Sequence, residues 1–199
     1  MKKLLILLVC FTSTAFAQTL TGQKKAAKDA AVAFLNWYKT GHKGFDKYEL
    51  YRSVKPKTEG PPYVINWKNV DKHFLWIKTN APLFATAFLK NEKQFFEYCN
   101  QMFKQNPDEE MAQGFDYDRV LGSQEDVAIT LKEGWFKKSL IWKVRMISAT
   151  EAEVAGLEKG EADDGSSNRF LMVKENGQWK VALPPGMFGM PAFEKETNK

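Results

Sequence analysis

Cysteine is almost absent. Cys10 and Cys99 are the two in 199 residues, which excludes a scaffold built on disulfides. Histidine is as scarce: His42 and His73 stand alone, outside any HExxH or paired-histidine context, so a zinc site has no support. No phosphate-binding P-loop, dinucleotide-binding GxGxxG, GxSxG elbow or cysteine–histidine pairing occurs in the chain. No long apolar run is present either. The longest near the start, Leu4 to Phe11, is far short of the ~20 residues that span a bilayer. Neither sign of charge dominates, and a net +5 is too mild to argue for a nucleic-acid partner.

What is present begins with an export signature. Met1-Lys2-Lys3 leads into the apolar run, and Ala15-Phe16-Ala17 gives a small-x-small cleavage pattern. Residues 1–17 therefore read as a signal peptide, and the product as periplasmic or secreted. Cys10 raises a lipoprotein anchor as an alternative, but Val9 stands where a lipobox wants a small residue. Cleavage after Ala17 removes Lys2 and Lys3, lowers the net charge by two, and leaves Cys99 as the one thiol. Cys99 falls on the apolar side of a predicted helix and reads as a buried small hydrophobe. Residues 18–193 suit a single domain, and the polar residues 194–199 a disordered tail.

The carboxyl half carries strand patterns. Val127, Ile129 and Leu131 alternate with Ala128, Thr130 and Lys132, which predicts a strand. Leu140 to Ser148 predicts a second, with Leu140, Trp142, Val144 and Met146 on one face; Glu151 to Leu157 predicts a third. Arg169–Lys174 and Gln178–Leu183 flank Asn176-Gly177, the dipeptide a type I′ hairpin turn favours. In that register Lys174 opposes Trp179, Met172 opposes Val181 and Phe170 opposes Leu183. Phe170, Met172, Trp179, Val181 and Leu183 then share the core face. Ile141, Ile147, Leu171, Val173 and Ala182 fall on the reverse face, which predicts a cover there: a second copy in an isologous homodimer or the Met/Phe-rich tail.

The amino half carries helical patterns. Ala27, Ala30, Ala31, Phe34, Trp37 and Tyr38 predict a helix over 23–40, capped by Thr21 and ended by Gly41. A loop is expected over 41–62, where Gly60-Pro61-Pro62 forbids a helix. Asn66 or Asn69 starts a short helix with Trp67, Val70, Phe74 and Ile77, and His73 at the core's edge. Asn80-Ala81-Pro82 opens a long helix over 83–104 with Phe84, Phe88, Phe95, Cys99, Met102 and Phe103 as its apolar stripe. Residues 107–126 hold seven acids against one base, Arg119, yet carry Phe115, Tyr117, Val120 and Leu121, so the segment should pack. Residues 158–167, acidic and rich in glycine and serine, predict an exposed hairpin loop.

Helices first and an antiparallel sheet after them make an α+β fold. Ala33-Phe34-Leu35-Asn36-Trp37-Tyr38, Phe115-Asp116-Tyr117-Asp118 with Gln124-Glu125-Asp126, and Asn176-Gly177-Gln178-Trp179-Lys180-Val181 occur in an order that resembles the nuclear transport factor 2-like, cystatin-like cone. The closest likeness is to the bacterial exported family catalogued as domain of unknown function 3828. The resemblance implies helices and a sheet enclosing a pocket. It implies no activity, and the catalytic motifs of ketosteroid isomerase or scytalone dehydratase, enzymes of that cone, have no residue-by-residue match here.

Asp116, Asp118 and Asp126 are the carboxylates set among apolar residues at the start of the sheet half. They suit acid–base work if desolvated and turn-capping if bonded to backbone N–H groups. An EF-hand fails, because Val120 and Leu121 occupy the fifth and sixth positions counted from Asp116. No metal and no cofactor are expected. The reading favoured is an exported, non-catalytic protein holding a small apolar or amphipathic ligand, or a partner segment, between the first helix and the sheet. Trp37, Tyr38, His73, Asp116, Asp118 and Asp126 are the candidate site residues. Two alternatives stand: an isomerase, dehydratase or hydrolase of the same fold using an Asp or His73, and a periplasmic inhibitor or immunity-type protein binder.

Overall fold

The computed structural model describes residues 2–55, 60–110, 112, 114–163 and 168–187, with side chains from Leu20 onward. The side chains of the proposed signal segment, the tip of the 158–167 loop and residues 188–199 lie outside the described residues. The fold is α+β. Helices α1 (Lys2–Phe45), α2 (Trp67–Asn80) and α3 (Thr86–Gln105) precede a four-stranded antiparallel sheet. In the segment expected to be loop, β1 (Tyr51–Ser53) forms a two-stranded ribbon with β2 (Tyr63–Ile65), which follows it. The main sheet runs β3 (Leu140–Met146), β4 (Glu151–Glu158), β5 (Arg169–Glu175) and β6 (Gln178–Leu183) in simple meander order. Among the described residues, no helix is long and apolar enough to cross a membrane.

The hairpin forms as its sequence requires. Asn176 (φ 51°) and Gly177 (φ 80°) take the two positive-φ positions, and Glu175 pairs Gln178, Lys174 pairs Trp179 and Met172 pairs Val181. Beyond Met172 a bulge shifts the register, so Leu183 opposes Leu171 rather than Phe170. Phe170, Met172, Trp179, Val181 and Leu183 are nonetheless all buried. They meet Ala27, Ala31, Phe34 and Tyr38 of α1, whose small residues let the helix lie close on the sheet. Phe34 joins the layers, with ring centroids 4.9 Å from Phe84 and 5.8 Å from Phe170.

Four local expectations yield to tertiary contacts. Gly41 does not end α1. A Cβ there would press on the Trp37 indole, and one at Gly44 would collide with the Trp76 indole. The glycines let the helix run on to Phe45, whose ring packs on Tyr38, His73 and Trp76. Likewise α3 begins three residues late, at Thr86. Residues Leu83–Ala85 lie along the β6 edge, with Val181 N–H donating to the Leu83 carbonyl at 2.9 Å and Ala85 N–H to that of Val181 at 2.8 Å. Glu175, beside the hairpin turn, then accepts from Thr86 N at 2.8 Å, a long-range cap for the orphan donors of α3.

The third correction concerns Val127–Leu131. Instead of a strand it is helix α4 (Val127–Thr130), continued by a π-helical turn over Leu131–Trp135. Asp126 caps it, accepting from Ala128 N at 2.8 Å and Ile129 N at 3.4 Å. Leu131 and Trp135 are buried while Ile129 is exposed, a spacing of four rather than two. The π turn carries the Trp135 ring to within 5.1 Å of Phe170 and 5.7 Å of Trp142.

Fourth, the reverse face of the sheet is less apolar than its pattern suggested. Glu153, buried Arg169 and Asp163 form ion pairs there at 3.1 and 2.6 Å, joined by Arg145. Ala182 is buried and Leu171 and Val173 are half-buried, leaving Ile141 and Ile147 as its exposed apolar residues.

Trp179 carries much of the hairpin's apolar burial. Trp179→Ala is expected to cost about 3–5 kcal/mol, read as a lower urea midpoint. An unchanged midpoint would show that the indole is not part of the core.

Candidate functional site

A cavity of about 560 Å³ opens where α1 ends. Its walls are the last turns of α1, the 46–51 stretch leading into β1, and residues 115–127. The space between α1 and the sheet is instead filled, by Phe34, Phe84, Trp135 and Phe170 among others. The cavity therefore lies at the side of the helical layer, away from the helix–sheet interface where a pocket was expected. No residue of β3–β6 is among its lining.

Tyr38, Asp116, Asp118 and Asp126 of the expected site line this cavity. Trp37 and His73 do not. Trp37 packs on Phe34, Tyr38 and Phe84. His73 is fully buried, where its Nε2–H donates to Glu92 Oε1 at 3.2 Å, between the rings of Phe45 and Phe96.

Two of the three aspartates shape the walls. Asp118 Oδ1 accepts from Val120 N at 2.8 Å and Leu121 N at 2.9 Å, and Asp118 Oδ2 from the Tyr38 hydroxyl at 3.0 Å. Asp126 spends its carboxylate on α4. Turn-capping is thus the structural part both play. Asp116 stays exposed, with Gln124 Nε2 3.5 Å away. Burial first, and the neighbouring Asp118 charge second, push the Tyr38 hydroxyl well above its ordinary value, so Tyr38 remains a proton donor.

The floor depends on residues that sequence reasoning missed. Glu92 is 1% exposed in the middle of the α3 apolar stripe, where it accepts from Arg119 Nη2 at 3.3 Å and from His73. The Arg119 guanidinium sits 5.1, 5.4 and 5.3 Å from the rings of Phe95, Phe96 and Phe115, a cation–π shell. One signal was available: a glutamate at a core position of an amphipathic helix, in a chain whose 107–126 segment has a single base amid seven acids. Burial pushes the Glu92 carboxyl up, but Arg119 and His73 outweigh it and hold the group below its ordinary value. The same network faces Cys99, whose thiol burial raises to about 12, which leaves it inert.

The rest of the wall is held by close backbone approach. Gly186, in the 3₁₀ turn Pro185–Met187, lies against the Arg119 carbonyl and the Gly122 N–H, with no room for a Cβ. Its own N–H donates to the Val120 carbonyl at 3.2 Å. On the far side, β1 brings Tyr51 onto Phe115 with centroids 4.7 Å apart, and Tyr63 of β2 donates to the Glu110 carbonyl at 2.9 Å. Among the described residues, no group of three or more His, Cys, Asp or Glu is placed to hold a metal ion.

Glu92→Gln leaves Arg119 in an apolar shell without its counter-charge, which is expected to cost about 3–5 kcal/mol at neutral pH. A carboxyl held below its ordinary value stabilises the fold above that value, and the stabilisation is lost as pH falls through the folded pKa. The gap between wild type and variant in urea titrations should therefore close below the ordinary value of 4.5. A constant gap from neutral to acid pH would refute the ionised role of Glu92.

Compared with known proteins, the chain matches no family model, no curated protein and no solved structure.

Proposed function

We propose that this is an exported, non-catalytic protein that binds a small ligand in the cleft between the end of α1 and residues 115–127. The cleft itself carries the proposal. At about 560 Å³ it falls within the roughly 300–1,000 Å³ usual for small-molecule sites. Each wall is tied to the core: Tyr38 through Asp118, residues 119–122 through Gly186, Phe115 through Tyr51 and Arg119. Such ties pre-organise a site, so less ordering is needed on binding. An amphipathic ligand suits this lining better than a purely apolar one, because the lining combines rings with carboxylates. Export is supported by the pattern of residues 1–17, and membership of the cone family by the order of its motifs and by the α+β architecture.

One observation favours acid–base catalysis as a second reading. Loss of hydration at the cavity edge, and the Asp118 charge after it, raise the carboxyl of the otherwise exposed Asp46 above its ordinary value. The base would then be Asp46 rather than His73, which is fully buried and bonded to Glu92.

Native mass spectrometry of the protein purified from its host tests the binding proposal. A retained small molecule is expected, and Tyr51→Ala should reduce its occupancy. Bare protein throughout, with no thermal shift from a broad library of small molecules, would overturn the proposal.

A further inference from the structure

Resting on that binding reading, we propose that the ligand is a small organic cation, an ammonium group carrying an aryl or alkyl body. The cavity's lining decides the class. Six aromatic side chains line it: Tyr38, Phe45, Tyr48, Tyr51, Phe115 and Tyr117, of which Tyr48 already has the Lys47 ammonium 5.6 Å from its ring centroid. Tyr38 and Phe45 are buried, and Tyr48, Tyr51, Phe115 and Tyr117 are half-buried. Rings present negative faces to a cation within about 6 Å of their centroids, and desolvation strengthens the attraction.

Carboxylates complete the lining: Asp46, Glu49, Asp116, Asp118, Glu125 and Asp126. No basic side chain forms a salt bridge with any of these six among the described residues. The cation that shares the cavity, Arg119, is committed to Glu92. Backbone N–H groups answer Asp118 and Asp126, but Asp46, Glu49, Asp116 and Glu125 leave a negative balance that a neutral ligand would not offset and an anion would oppose. A cation offsets it.

Two observations set the cation's kind. Among the described residues no group of three or more carboxylates is placed to grip a metal ion, and an organic body would let one charge reach several walls. The protein also holds a cation of its own in this chemistry. Phe115, which faces the cavity, is one of the rings packed on the Arg119 guanidinium. A ligand ammonium would meet the same pairing of ring and carboxylate one layer farther out.

Isothermal titration with benzyltrimethylammonium, benzyl alcohol and benzoate tests the class. The cation should bind, the alcohol more weakly, the benzoate not at all. Cation affinity should fall several-fold when salt is raised from about 50 to about 500 mM. Glu49→Gln with Glu125→Gln, both exposed and outside the capping bonds, should weaken the cation at least about threefold with an unchanged melting temperature. Equal or tighter binding of benzyl alcohol or benzoate overturns the cation class while leaving the cleft a binding site. Absence of binding by all three overturns the cation class as well, and the fate of the binding reading then stays with native mass spectrometry.

Discussion

A carboxylate sealed inside an aromatic core is the constraint on which this structure turns. Taking Glu92 out of water costs several kcal/mol unless its charge is answered, and Arg119 and His73 answer it from two directions. Each partner brings an element with it. His73 locks α2 to α3, and Arg119 draws the 115–121 segment onto the same helix. Phe45, Phe95, Phe96 and Phe115 close around the pair of charges. The network thus converts an otherwise irregular, acid-rich segment into a fixed wall.

The cleft is a consequence of how that wall meets the end of α1. Helix α1 overruns its glycines because two indoles occupy the space their missing side chains leave. The overrun delivers Phe45 to the cleft beside Tyr38 and sets Asp46 at its edge. Asp118 then bridges wall and helix through the Tyr38 hydroxyl, while capping its own turn. Gly186 braces the wall from behind, in a contact that excludes any side chain. Binding chemistry and scaffold chemistry therefore share residues, and the cleft keeps its shape because it is built from caps and ties rather than from free loops.

Elements whose pattern is satisfied locally were legible in the sequence. The Asn176–Gly177 turn dictated the hairpin and most of its register, because two positive-φ positions admit few residue types. Boundaries were legible only where no distant group competed. Val127–Leu131 looked like a strand by alternation, yet it is helical, capped by Asp126 and continued by a turn whose Trp135 packs on Trp142 and Phe170. The start of α3 moved because β6 took the backbone bonds of Leu83–Ala85. The site was half legible. Asp118 and Asp126 could be picked out as carboxylates among apolar residues, but Trp37 and His73 drew notice by residue type and proved to be packed in the body.

By itself the sequence determined the class of fold, helices ahead of an antiparallel sheet, since periodicity and turn chemistry act over a few residues. It also determined the core face of the hairpin and the lack of any scaffold held by disulfides. Tertiary structure alone decided where the cavity opens and which charges face it. Glu92 and Arg119 are 27 residues apart, and Tyr38 and Asp118 are 80 apart. Their pairing depends on where whole helices come to rest, because burial selects partners by distance in space rather than along the chain.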